Sequence, residues 1–98
     1  MSVVLLAHYE VPDSERFLAA FDAFEAQRLG AGALTHGVVR SLDDPHAMVA
    51  VIAFGSRAEA EAFAAGPQRA AALRDAGVTR ITDEFLEAIR PIAAIAAA

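Results

Sequence analysis

From Val3 to Tyr9 the chain is apolar without interruption until His8. A run this short and this apolar predicts a strand covered on both faces. Val11-Pro12-Asp13-Ser14 ends it, and Asp13 or Ser14 is placed to cap a helix. In that helix Phe17, Phe21, Phe24 and Arg28 recur at i, i+4, i+7 and i+11, so the phenylalanines form one apolar stripe. Leu29-Gly30-Ala31-Gly32 stops the helix, with Gly30 the expected residue just past its end.

Ala33 to Leu42 predicts a second strand and Ala47 to Phe54 a third. Between them Asp43-Asp44-Pro45-His46 is turn chemistry, so the two strands form a hairpin. Ser56 followed by Glu59 matches a capping box at the start of the next helix. Gly66-Pro67 breaks that helix, and Pro67 opens a second short one that Gly77 closes. Ala60, Phe63, Ala64, Ala70 and Leu73 are expected to face inward. Residues 78–89 read two ways. Val78, Ile81, Phe85 and Leu86 suit a strand, while Thr82-Asp83-Glu84 also suits a helix start. The strand completes a β-α-β-β-α-β order, the ferredoxin-like α+β fold with a four-stranded antiparallel sheet. Residues 1–90 are thus expected to form one domain, with 91–98 an alanine-rich tail.

A sheet with one wet face alternates apolar and polar residues. These strands do not, and a chain of 98 residues has no spare element to cover the second face. A second copy, packed sheet on sheet, would cover it. The expected assembly is a homodimer.

Composition narrows the chemistry. Alanine fills 25 positions, so the apolar fraction of 56% overstates the large side chains available for a core. Cys, Trp, Lys and Asn are absent. That removes thiol nucleophiles, disulfides, thiolate metal sites and Schiff-base lysines. The net charge of −5, with no basic stripe, argues against nucleic acid. An RNA-recognition sheet would also need more exposed aromatics than Tyr9 and Phe54. No apolar run reaches the ~18–20 residues that cross a bilayer, and no leader pattern opens the chain. A soluble cytoplasmic protein is the expectation, with neither cofactor nor metal.

Three residues stand out as candidates for chemistry. His8 ends an otherwise apolar strand, where a desolvated imidazole acts as acid or base, or is simply bonded to a neighbour. His36 and Arg40 share one face of the second strand with Val38. An arginine clamp beside a histidine suits a carboxylate or enolate; alternatively Arg40 braces Asp43 or Asp44. In a 4-1-3-2 strand order His8 and His36 lie two strand spacings apart, about 9–10 Å, too far for a shared metal.

These features together resemble the dimeric α/β-barrel superfamily, which includes antibiotic-biosynthesis monooxygenase-like proteins and uncharacterised small bacterial proteins. The likeness covers residues 2–89. It rests on His8 before Val11 and Asp13, on Phe21-Asp22, on Arg40 ahead of Asp43-Asp44-Pro45, and on Gly77-Val78. It implies two sheets closing into one barrel, with pockets between sheet and helices or inside the barrel. The superfamily's cofactor-free monooxygenases characteristically use Asn, Trp and aromatic side chains, and its haem-degrading members Asn and Trp. This chain has neither Asn nor Trp, and Tyr9 is its only tyrosine. The expected function is binding of a small, largely apolar molecule, with proton-transfer, cyclase-like or oxygenase-like chemistry at His8, His36 and Arg40. The alternative is a non-catalytic ligand-binding or assembly module of the same fold.

Overall fold

The computed structural model describes residues 2–90. The expected tail at 91–98 lies outside them. The elements are β1 (Val3–Glu10), α1 (Ser14–Ala23), α2 (Glu25–Gly30), β2 (Ala33–Arg40), β3 (Ala47–Phe54), α3 (Arg57–Ala65), α4 (Pro67–Asp75) and β4 (Arg80–Glu87). The strands form one open antiparallel sheet in the order β2-β3-β1-β4. This is the ferredoxin-like fold, with each helical crossover divided into two short helices.

The ambiguous segment is a strand. β4 pairs with β1 from Val3↔Glu87 to Glu10↔Arg80, and Ala88 N–H extends the ladder to the Ser2 carbonyl at 3.0 Å. Because β1 is central, its backbone groups need partners on both edges. A helix at 82–89 would leave one edge bare.

Leu5, Ala7 and Tyr9 of β1 and Ala50, Ile52 and Phe54 of β3 are buried in one core with Phe17, Ala60, Phe63 and Leu73 of the helices. Their even register puts Leu6, His8, Val49, Val51, Val39 and Leu86 on the opposite face. No helix among the described residues packs there. Val39 is 53% exposed and Leu86 41%.

Local signals explain the helix ends. Asp13 accepts from the Arg16 N–H at 3.1 Å and caps α1. Ser56 caps α3 as expected, its Oγ accepting from Glu59 N–H (3.2 Å), but Glu59 returns the bond to the Ser56 hydroxyl (3.1 Å to Oε1) in place of the Ser56 N–H that a capping box engages. The first crossover departs from expectation in two ways. The helix is interrupted at Phe24 (φ −88°, ψ 3°), whose N–H is shared by the carbonyls of Ala20 and Phe21. Gly30 remains helical, and the left-handed position falls on Gly32 (φ +99°). In α4, Ala70 is exposed and Arg69 turns inward instead. An ion pair described below accounts for that exchange.

Candidate small-molecule cavity

The Phe17–Phe21–Phe24 stripe does not press flat against the sheet. Between it, Tyr9 and Ile52 of the sheet, and Phe63 and Leu73 of the second crossover lies a cavity of about 30 Å³. That is enough for one or two water-sized groups. An outer groove of about 260 Å³, edged by Gln27, Glu59 and Gln68, adjoins it. Phe24, Phe63 and Arg69 border both spaces. The Phe24 and Phe63 rings, 6.2 Å apart and edge-on, stand between them.

The walls are mainly hydrocarbon, but three polar side chains enter them: Tyr9, Arg28 and Arg69. Arg69 is only 6% exposed. Its Nη2 and Nη1 donate to Asp83 Oδ1 and Oδ2 at 2.6 and 2.9 Å, and Nη1 also reaches the Ala64 carbonyl at 3.0 Å. Burial alone would lower its pKa, but the bonds to Asp83 and Tyr9 prevail and hold it above the usual arginine value. Asp83, read from sequence as part of a possible helix start, faces the helices on β4 as this counter-ion.

Tyr9 accepts from Arg69 Nη2 at 3.1 Å. Burial raises its phenol pKa above the model-compound value, against the opposing pull of Arg69. The phenol is neutral at pH 7 as an ordinary tyrosine is, and among the described residues its own O–H has no acceptor.

Arg28 is buried to 2% exposure and is the largest fully buried side chain among the described residues. Its guanidinium lies 3.7 Å above the Phe21 ring centre. Nε and Nη2 have no hydrogen-bond partner among the described residues. Burial holds its pKa below the usual arginine value, although Glu25 and Asp22 pull the other way. A desolvated cation–π contact contributes about 2 kcal/mol. Removing a guanidinium from water costs several. Phe21 therefore offsets only part of the burial.

The three residues singled out by sequence occupy three separate places. His8 is exposed on the helix-free face, with Nε2 3.4 Å from Glu84 Oε1. His36 is half-buried on the helix side, edge-on to Phe21 at 5.7 Å and with Nε2 3.6 Å from Glu25 Oε1. Phe21 therefore separates His36 from Arg28. Arg40 is exposed at the end of β2, in register with Met48 and Tyr9. Its register puts it on the face opposite His8, so the two do not converge. No ion pair joins Arg40 to Asp43 or Asp44 among the described residues. The hairpin is closed by Ser41, whose Oγ accepts from both aspartate N–H groups at 3.2 Å. His46, exposed in the turn, donates from Nδ1 to the Val11 carbonyl at 3.1 Å.

Sequence reasoning left Arg28 and Arg69 without a role. The sequence signal for Arg28 was its place at i+11 on the phenylalanine stripe, a cation where a fourth apolar residue belongs. Arg69 had no such signal, because its partner lies 14 residues away on another element. Among the described residues no three His, Asp or Glu side chains gather as a metal site. No described helix is long and apolar enough to cross a membrane.

No protein-family model and no curated protein matches the chain. Solved structures do. The cofactor-independent oxygenase SnoaB from Streptomyces nogalater aligns with a TM-score of 0.74 and 18% identity, over 93% of this chain and 96% of that one. A candidate antibiotic biosynthesis monooxygenase from Bordetella bronchiseptica aligns with a TM-score of 0.76 and 12% identity, over 91% and 98%. Rv0793 from Mycobacterium tuberculosis gives 0.67 and 17%, over 94% and 99%. At these identities the likeness establishes the fold alone: the chain shares its ferredoxin-like architecture with these structures.

Proposed function

We propose that this protein is a homodimer that binds a small, largely apolar molecule between its sheet and its helices. One observation carries the reading: a cavity walled by aromatic rings into which Tyr9, Arg28 and Arg69 bring polar atoms. Sites of this kind fix a ligand's orientation with a few polar groups and draw affinity from apolar walls. The dimer would form through the helix-free sheet face around Leu6, Val49 and Val51, where the strands lack the alternation of a wet surface.

A second reading adds catalysis. Its support is the likeness to SnoaB, described as a cofactor-independent oxygenase. In that reading the ligand is enolisable, and the Tyr9 hydroxyl donates to its developing oxyanion. His36, separated from Arg28 by Phe21, would take the proton through movement of that ring or through water. His8 would face the interior of the two-sheet barrel, and Arg40 the solvent end of β2.

The test is a thermal-shift screen of one- and two-ring aromatic compounds. A true ligand raises the melting temperature with concentration as RT ln(1 + [L]/Kd). Oxygen uptake with phenolic hits then separates the two readings. If Phe21→Trp, which fills the cavity, leaves the best hit's affinity unchanged, the hit does not occupy this site.

A further inference from the structure

We propose that Arg28 is the anchor for an anionic head group, and that the cavity's ligand is an aromatic carboxylate. The inference deepens the ligand-binding reading and rests on it.

Two arginines are buried among the described residues, and their surroundings differ. Arg69 has both Nη atoms on the two oxygens of Asp83. Its charge is matched inside the protein. Arg28 has no carboxylate within ion-pair distance among the described residues. Asp22 and Glu25 are near enough to act on its charge, but neither touches it, and Glu25 is turned toward His36. A buried cation without a counter-ion calls for an anion from elsewhere.

The geometry of the unpartnered atoms selects the anion. Nε and Nη2 are the two donors along one side of a guanidinium, and both are free. Two parallel N–H groups on one edge match the two oxygens of a carboxylate. Phe21 beneath the guanidinium fixes its plane, so the fork is oriented before anything binds. The inner cavity of about 30 Å³ admits a carboxylate and little more. The body of the ligand would then extend between Phe24 and Phe63 into the outer groove of about 260 Å³. Rings suit that passage, because both of its sides are aromatic edges and faces.

Three probes test this: 2-naphthoate, its neutral twin 2-naphthamide, and benzoate, each titrated calorimetrically into the intact protein at one ionic strength. Wild type should bind 2-naphthoate at least about tenfold more tightly than 2-naphthamide. Benzoate should bind more weakly than 2-naphthoate but still in preference to the amide. Arg28→Met keeps the side chain's length without its charge, and should bring the two naphthalene compounds to within about twofold of each other. Arg28→Lys should recover only part of the preference, since an ammonium cannot present two parallel donors. Without ligand, Arg28→Met should melt at or above the wild-type temperature, because it removes an unmatched buried charge. Arg28→Gln replaces it if the methionine variant fails to fold.

Equal wild-type affinity for the naphthoate and the amide would overturn the anchor and leave the cavity reading intact. So would a preference for the acid that survives in Arg28→Met. If no probe binds wild type, the cavity reading falls, and the anchor with it.

Discussion

Arg69 and Asp83 join α4 to β4 through two hydrogen bonds of 2.6 and 2.9 Å, with side-chain exposures of 7% and 22%. The pair explains why an arginine, not the neighbouring alanine, turns inward in α4. Its removal should be costly in one direction. Asp83→Ala strands a guanidinium that is already desolvated, a class of change that destabilises by about 3–5 kcal/mol. Asp83→Asn keeps one acceptor and should lose less. Urea unfolding midpoints of the three proteins measure this. An Asp83→Ala midpoint equal to that of wild type would mean that solvent reaches Arg69 freely.

Tyr9 offers an optical handle on the same network. It is the only tyrosine and the chain has no tryptophan, so phenolate absorbance reports this residue alone. Burial raises its pKa above 10.0, while Arg69 opposes the rise. A folded value above the unfolded one means stability that is fully present below about pH 10 and lost as pH rises through the folded value. Ultraviolet titration should show ionisation above pH 10, and Tyr9→Phe should abolish that part of the alkaline stability loss. A midpoint at or below 10 would place the phenol in water or make Arg69 the dominant influence.

Much of the fold was legible because its signals are local. The Asp13 cap, the Ser56 cap, Pro67 at a helix start and the turn at 43–46 each act within a few residues. The strand at 80–87 needed topology as well, since Thr82-Asp83-Glu84 taken alone also suits a helix. The site was less legible for the same reason. His8, His36 and Arg40 stand out in strands because they interrupt apolar runs, yet an interruption says nothing of what lies opposite. His8 and Arg40 ended on different faces. Arg28 and Arg69 sit in helices where a charge is ordinary, and their importance comes from burial, which depends on partners far along the chain. The break at Phe24 also went unseen, because phenylalanine carries no helix-stop signal.

The helix-free sheet face makes the assembly testable. Leu6, Val49 and Val51 lie at the centre of that face and are half-buried in the isolated chain. Sedimentation equilibrium at micromolar concentration should give about twice the chain mass of 10.3 kDa. Val51→Asp puts a charge where the second sheet would pack, and should shift the population to monomer without changing the far-ultraviolet spectrum. A wild-type monomer that stays folded on dilution would remove both the dimer and the barrel.

The last prediction couples two residues that do not bond to each other. Ser56 accepts from Glu59 N–H, which caps α3, and its hydroxyl donates to Glu59 Oε1, so the capping hydroxyl is oriented by Glu59's carboxylate. Gly32, beside Glu59, has φ +99°, and a Cβ built there would collide with Glu59 Oε2. Ser56→Ala removes the cap and should destabilise by about 0.5–2 kcal/mol. Gly32→Ala should destabilise by about 1–2 kcal/mol through its left-handed backbone alone. It also pushes the Glu59 carboxylate away from Ser56. The bond that orients the capping hydroxyl is then already lost, so the double variant should lose less than the sum of the two single ones. A double-mutant cycle in urea reads that difference directly. Strict additivity would show that Glu59 swings clear of Gly32 without releasing Ser56. The side chain would then be free to line the outer groove independently of the cap.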